Sequence, residues 1–147
     1  LIEQQQNGVD LFLVETISNI EEAEAAIDAL KAYDQKLHVG LTLADHQVAT
    51  LRSGEPLADA LAMMKDKGVN AAMINCSFPE AVTAALPILR DSGLRFGGYA
   101  NGFTAIEALV PGSTVDNLEA RVDLTPEVYT RHALEWIAGG ASIVGGC

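Results

Sequence analysis

The sequence predicts an α/β fold built from parallel strand–helix units. Three observations carry that reading: a recurring strand plan, helical segments with recognisable starts, and strict alternation of the two along 147 residues. "GVDLFLVET" (8–16), "GVNAAMINC" (68–76) and "GGASIVGGC" (139–147) share one plan. Each sets a helix-stopping glycine before a short apolar run and ends on a chemically capable residue. Short apolar runs bounded by turn signals fit parallel strands covered on both faces. "LHVGLTL" from Leu37 and "LRFGGYAN" from Leu94 supply two further strands. The order βαβαβαβ, a long loop, then αβ implies a parallel sheet with right-handed crossovers.

The helical segments follow in order. "SNIEEAEAAIDALKAYD" (18–34) opens with a capping box from Ser18 to Glu21 and aligns Ile20, Ala23, Ile27 and Leu30 on one stripe. "EPLADALAMMKDKG" (55–68) puts Pro56 at the first helical position and Gly68 past the end, with Leu57, Leu61 and Met64 inward. "SFPEAVTAALPILRDSG" (77–93) repeats the box with Ser77 and Glu80, and Pro87 is expected to kink or shorten that helix. "TPEVYTRHALEWIAGG" (125–140) takes Thr125 as cap and Pro126 as its first position, with Val128, Ala133, Trp136 and Ile137 on the buried side. The connection over 102–124 exceeds the usual βα loop. It holds either a short helix over 104–109 or a plain surface excursion.

A chain of this length makes one domain. Its 49% hydrophobic and 20% charged residues place it among globular proteins. A net charge of −11 with no basic stretch disfavours nucleic acid and anionic membranes as partners. The opening "LIEQQQNGVD" lacks the basic flank and apolar core of a signal peptide. No run approaches the roughly 18 apolar residues of a membrane span. A cytoplasmic protein is expected, in which two cysteines serve as free thiols or metal ligands rather than a disulfide. Two architectures suit five strands: an open doubly wound sheet, or the later part of a (β/α)₈ barrel, which needs about 250 residues in all. The ending on "GGC" favours a fragment, since both folds normally continue into a helix after such a strand.

In either fold, ligands gather at the carboxyl ends of parallel strands. Those ends carry Glu15 and Thr16, then Thr42 with Asp45 and His46 beyond it, then Asn75 and Cys76, then Asn101, then Cys147. Both cysteines fall on this face, and the residues alone leave three readings open. The thiols are ligands of a soft metal such as zinc. Alternatively they are inert small buried groups. In the third reading Cys76 is a nucleophile, deprotonated by His46 and stabilised by the helix that Ser77 caps. Glu15 closes an apolar strand, where a carboxylate needs a partner, either a ligand ammonium or a helix N-terminus. His38 and His132 read as structural, and His46 as solvated.

"GVDLFLVETISN", "RSGEPLADAL", "GVNAAMINCSFPEAV" and "HALEWIAGGASIVGGC" together resemble the homocysteine S-methyltransferases. The similarity covers nearly the whole chain and is weakest through the long loop. The resemblance implies a zinc-dependent (β/α)₈ barrel whose metal is held by one cysteine of an "NC" strand end and two adjacent cysteines of a "GGCC" strand end. It carries Cys76 onto the first ligand and Cys147 onto the second, with the third expected just after Cys147. Glu15 matches the glutamate that holds the homocysteine amino group, and Asn75 and Asn101 are the other substrate-binding candidates. Two departures stand out: the family's "ETIP" is "ETIS" here, and its "PNAG"-like strand end is "ANGF". The resemblance thus implies that residues 1–147 are a partial homocysteine-binding barrel domain, its later five strands, truncated at both ends. The implied activity is zinc-dependent transfer of a methyl group to the homocysteine thiol, giving methionine. Partners would be homocysteine and a methyl donor, without nucleic acid or membrane; a homo-oligomer is compatible. On its own the 147-residue piece is expected to bind zinc weakly and to be inactive. The alternatives are a metal-free hydrolase or transferase using Cys76, and a non-catalytic open α/β domain binding a small ligand.

Overall fold

A computed structural model of the chain describes residues 8–45, 49–104 and 118–147. Its elements are β1 (Leu11–Ile17), α1 (Ile20–Leu30), β2 (Lys36–Leu41), α2 (Leu57–Asp66), β3 (Ala71–Asn75), α3 (Pro79–Ser92), β4 (Arg95–Tyr99), α4 (Pro126–Ala138) and β5 (Ile143–Val144). The five strands form one sheet in the order β1-β2-β3-β4-β5. Every adjacent pair is parallel. The alternation read from the sequence therefore holds.

Strand order decides between the two architectures. A doubly wound sheet reverses its order at a switch point, which puts helices on both faces. Here spatial order equals chain order, and each helix packs on the next, α1 on α2, α2 on α3 and α3 on α4. Val39 and Leu41 of β2, Ala72 and Ile74 of β3 and Phe96 of β4 share one core with Ile27, Leu61, Val82, Leu89 and Trp136 of the helices. By two-residue alternation, Leu13 and Glu15, Gly40, Met73 and Asn75, and Tyr99 line the opposite face. This is the arrangement of consecutive units of a (β/α)₈ barrel, helices outside and one strand face within. Leu11 and Leu13 are exposed on that inner side of β1. Among the described residues, no helix is long and apolar enough to cross a membrane.

The inward stripes of α1 and α2 are as expected, with Ala23, Ile27 and Leu30 and then Leu57, Leu61 and Met64 all buried. The helix starts differ in detail. Asn19, not Ser18, caps α1: its side chain accepts the Glu22 N–H at 2.7 Å. Asparagine caps as well as serine, so the extended backbone at Asn19 moved the box along by one residue. Pro56 is the residue before α2 rather than its first. Helix α3 starts at Pro79 without a side-chain cap, because the Ser77 hydroxyl is turned into the sheet. Pro79 needs no capping partner, having no N–H to satisfy. Pro87 does not break α3, which runs on to Ser92 and closes at Gly93 with φ 73°. The buried stripe Val82, Ala85 and Leu89 carries the helix past the proline. In α4, Thr125 caps as expected, accepting the Val128 N–H. Its stripe buries Trp136, while Ile137 is exposed. The expected helix over 104–109 lies outside the described residues except for Thr104.

Candidate functional site

The strand ends form a continuous rim because hydrogen bonding runs past the regular strands. The Thr42 N–H donates to the Ile17 carbonyl at 2.9 Å, Asn101 N–H to Ser77 at 3.1 Å, and Cys147 N–H to Ala100 at 3.1 Å. Thr42, Asn101 and Cys147 are thereby each held by a neighbouring strand end. At the end of β5, Tyr129 of α4 adds a tie. Its hydroxyl accepts the Ala100 N–H at 2.9 Å and donates to the Gly145 carbonyl at 2.5 Å. The terminal "GGC" is thus fixed to β4 along its backbone and to α4 through one phenol.

Cys76 leaves β3 in a left-handed conformation, φ 49°. For a non-glycine residue that costs on the order of 1–3 kcal/mol and persists only where surroundings impose it. The turn takes the side chain off the β pleat. Burial, and after it the adjacent Cys147 thiol, push the Cys76 thiol up to about 11, against an opposing pull from Arg52. The structure therefore brings the two cysteines together across the end of β4. Cys147 is exposed and Cys76 half-buried.

Glu15 is exposed at the end of β1, so the expectation that its carboxylate needs a partner against burial does not apply here. Its charge is nonetheless felt by Cys76 and by Tyr99. Asn75 is buried, and its amide grips the next strand: Oδ1 accepts the Thr16 N–H at 3.0 Å, and Nδ2 donates to Thr16 Oγ1 at 2.8 Å. Thr16 is itself left-handed, φ 61°, a rare state for a β-branched residue. Asn75 therefore holds the strand end that carries Glu15. Asn101 is buried; its Oδ1 accepts the Phe103 N–H at 3.0 Å, closing a turn. His46 lies outside the described residues, and His38 and His132 sit in β2 and α4.

Three residues that sequence reading missed belong to this mouth: Tyr99, Arg52 and Tyr129. Burial pushes the Tyr99 phenol well above its ordinary value, and the Glu15 carboxylate pushes it further. Glu15 acts on it through its charge and through a side-chain approach that falls short of regular hydrogen-bond geometry. The buried Tyr99 hydroxyl is left without a well-formed partner among the described residues. The Asn101 Nδ2 group is in the same condition. Alternation in "LRFGGYAN" already put Tyr99 on the face of Asn101, a signal that was available. A lone arginine in "LRSGEP" offers none.

Space at the mouth depends on Gly40. A β-carbon there would fall 2.8 Å from both Asn75 Oδ1 and the Tyr99 hydroxyl. Gly40→Ala is therefore expected to displace both groups and to destabilise the fold by about 1–3 kcal/mol, the usual cost of overpacking. A urea melt with an unchanged midpoint would show that the crowding is absent.

Beside Cys147 a shallow cavity of about 300 Å³ is lined by Ala100, Leu124, Pro126 and Tyr129, among others. A larger groove of about 430 Å³ lies between α2 and α3, at Leu61, Lys65 and Ile88. It is away from the strand ends, and its Lys65 ammonium is turned onto the Ser92 carbonyl at 2.7 Å. The mouth is the better candidate, because the thiols and the unpartnered donors gather there. Two adjacent cysteine sulfurs are donors that zinc accepts readily. Leaving a buried donor unsatisfied costs about 1–3 kcal/mol, so Tyr99 and Asn101 fit a site meant to be filled. Among the described residues, no group of three or more His, Cys, Asp or Glu side chains is placed to hold a metal. Cys76 and Cys147 thus fit zinc as two of its donors.

Comparison with known proteins agrees with this fold. The homocysteine S-methyltransferase of Escherichia coli K12 is 31% identical over 149 aligned residues, covering 95% of this chain and 44% of that enzyme. The crystal structure of the E. coli homocysteine methyltransferase MmuM in its apo form superposes with a TM-score of 0.67 at 31% identity, covering 95% of this chain and 45% of MmuM. The oxidized form gives 0.69 at 28% identity, covering 95% and 41%. The carboxyl transferase domain of Rhizobium etli pyruvate carboxylase, at 15% identity and a TM-score of 0.62 over 98% of this chain and 23% of that one, shares the fold alone. The chain thus spans less than half the length of these homocysteine methyltransferases. A family model described as homocysteine S-methyltransferase matches residues 2–147, and on that match this chain belongs to the homocysteine S-methyltransferase family.

Proposed function

We propose that residues 1–147 are the homocysteine-binding part of a zinc-dependent barrel methyltransferase that converts homocysteine and a methyl donor into methionine in the cytoplasm. The observation that carries the proposal is the meeting of Cys76 and Cys147 at the mouth of the sheet. Cys76 and Cys147 would hold the metal, with a third thiolate from outside these residues. When bound, zinc supplies the Lewis acidity that keeps a substrate sulfur deprotonated at neutral pH.

The chain's own residues do the rest. Glu15 receives the substrate ammonium at the opposite side of the mouth from Cys147, so the amino acid is held at both ends. Asn75 keeps Glu15 in place through the Thr16 peptide. Tyr99 and Asn101 offer buried donors to the bound amino acid. Tyr129 keeps the Cys147 strand end from drifting.

A metal-free nucleophile at Cys76 is the weaker reading. A thiol pushed up to about 11 is almost entirely protonated at neutral pH. Ser77, the expected cap that would have stabilised a thiolate, does not cap α3. A non-catalytic open α/β domain fits the sequential strand order less well than a barrel does.

The test is made on the whole protein that carries this chain. Glu15→Gln is expected to raise KM for homocysteine about 10- to 100-fold, the worth of one charge-assisted hydrogen bond, with zinc content unchanged. Full methyl transfer by zinc-depleted enzyme would sink the proposed chemistry.

A further inference from the structure

The left-handed turn at Cys76 raises the question of what imposes it. The carbonyl of Cys76 is the point of convergence. It accepts from Thr42 Oγ1 at 3.2 Å and from Arg52 Nη2 at 3.3 Å. The guanidinium is itself oriented at two further points, donating from Nε to Thr42 Oγ1 at 2.9 Å and from Nη2 to Asp45 Oδ1 at 3.2 Å. The Asp45 side chain is fully buried and that of Arg52 is 21% exposed. On either side of the turn, Ser77 Oγ donates to the Asn75 carbonyl and accepts the Leu43 N–H, both at 2.9 Å. The Cys76 peptide is thus held from the residue just past β2, from the loop that follows it and, through Ser77, from the end of β3.

That loop is built to deliver Arg52. Leu43 and Leu51 pair across it and are both fully buried. The Arg52 N–H returns to the Thr42 carbonyl at 3.3 Å, and the Ser53 N–H is tied to Ser18 at 3.1 Å. The loop therefore folds back along the strand end, and the arginine reaches over the mouth instead of into solvent. An ordinary surface ion pair would explain none of this, because Asp45 is fully buried and Arg52 mostly so.

We propose that Arg52 is a positioning residue: held by Asp45 and Thr42, it fixes the Cys76 peptide in the left-handed turn and so aims the thiol at the metal. Its action is exerted through Cys76. The planar fork of the guanidinium matters here, since one side chain serves the Thr42 hydroxyl, the Asp45 carboxylate and the Cys76 carbonyl at fixed angles. A lysine ammonium is a point charge without that geometry. The proposal rests on Cys76 being a ligand.

The experiment is zinc affinity, measured by competition with a chromophoric chelator on the whole protein, with the cobalt–thiolate charge-transfer band of the cobalt-substituted protein as a second readout. Arg52→Met is expected to weaken zinc about 10- to 100-fold, as outer partners of ligands do, and to dim the charge-transfer band. Arg52→Lys is expected to recover only part of either signal. A structural role alone would lower the melting temperature of the apoprotein and leave the cobalt spectrum as in wild type, which would overturn the proposal. Should Arg52→Met not fold, Thr42→Val removes a second donor to the same carbonyl and is expected to weaken zinc several-fold. Wild-type affinity in Thr42→Val would count against the proposal equally. Cys76→Ser separates the two levels. If it leaves zinc in place, the assignment of the ligand fails. If it removes zinc while Arg52→Met does not, only the role of Arg52 falls.

Discussion

Cys76→Ser in the whole protein is expected to remove stoichiometric zinc and, with it, methyl transfer to homocysteine. Structural zinc in small peptides binds with about 10–16 kcal/mol at neutral pH, which sets the scale for a thiolate site. Losing one of four donors forfeits roughly a quarter of that, or about two to three decades of affinity. Serine is nearly isosteric, yet its oxygen is a harder and far less acidic donor than sulfur. The fold should be little disturbed, because the Cys76 backbone is held through its own carbonyl rather than its side chain. Metal analysis after dialysis against a mild chelator checks this, with the urea midpoint as control. One equivalent of zinc retained by the variant would overturn the assignment. Cys147→Ser should behave alike, since Cys147 is held by its N–H on Ala100.

The largest stability effect is expected at Trp136. Its side chain is fully buried beneath the sheet, against the backbone at Gly98. Its indole N–H donates to Thr83 Oγ1 of α3 at 2.9 Å, and its ring meets Tyr129 edge-on, with centroids 5.8 Å apart. Trp136→Ala should cost about 3–5 kcal/mol, transfer and cavity terms together. It should also reach the mouth, because Tyr129 leans on this ring and holds Ala100 and Gly145 with its hydroxyl. Trp136→Phe keeps most of the volume but leaves Thr83 without its donor, and should cost about 1–2 kcal/mol. Urea unfolding read at its midpoint, with the slope checked for constancy, separates the two. A loss below about 1 kcal/mol for Trp136→Ala would mean that the ring is not the wedge between α3, α4 and β4.

The strands and helices were readable because each announces itself locally. "GVNAAMINC" centres on the apolar run Ala71 to Ile74, and every residue of the β3 strand within it is buried. The Thr125–Pro126 start of α4 needed no tertiary contact to be recognised. Caps were less readable where two candidates stand side by side. Ser18 and Asn19 are equally competent, and backbone conformation chose between them. Ser77 was misread because its hydroxyl had a stronger claim on it from Leu43 and Asn75, partners that are not its chain neighbours. The site shows the same division. Glu15, Cys76, Asn101 and Cys147 could be named from their places at strand ends. Arg52 could not, because its three acceptors come from the residue just past β2, the loop beyond it and the end of β3.

Sequence by itself determined the alternation of strands and helices, the face on which both cysteines emerge, and the family resemblance. All of these depend on the identity and spacing of nearby residues. Only the tertiary structure decided that the strands lie in chain order, that Cys76 turns left-handed beneath an arginine, and that Tyr99 and Asn101 are left with donors to spare. Those outcomes depend on which distant groups come within about 3 Å of one another, since hydrogen bonds are short-ranged. Such meetings are set by the packing of the whole sheet.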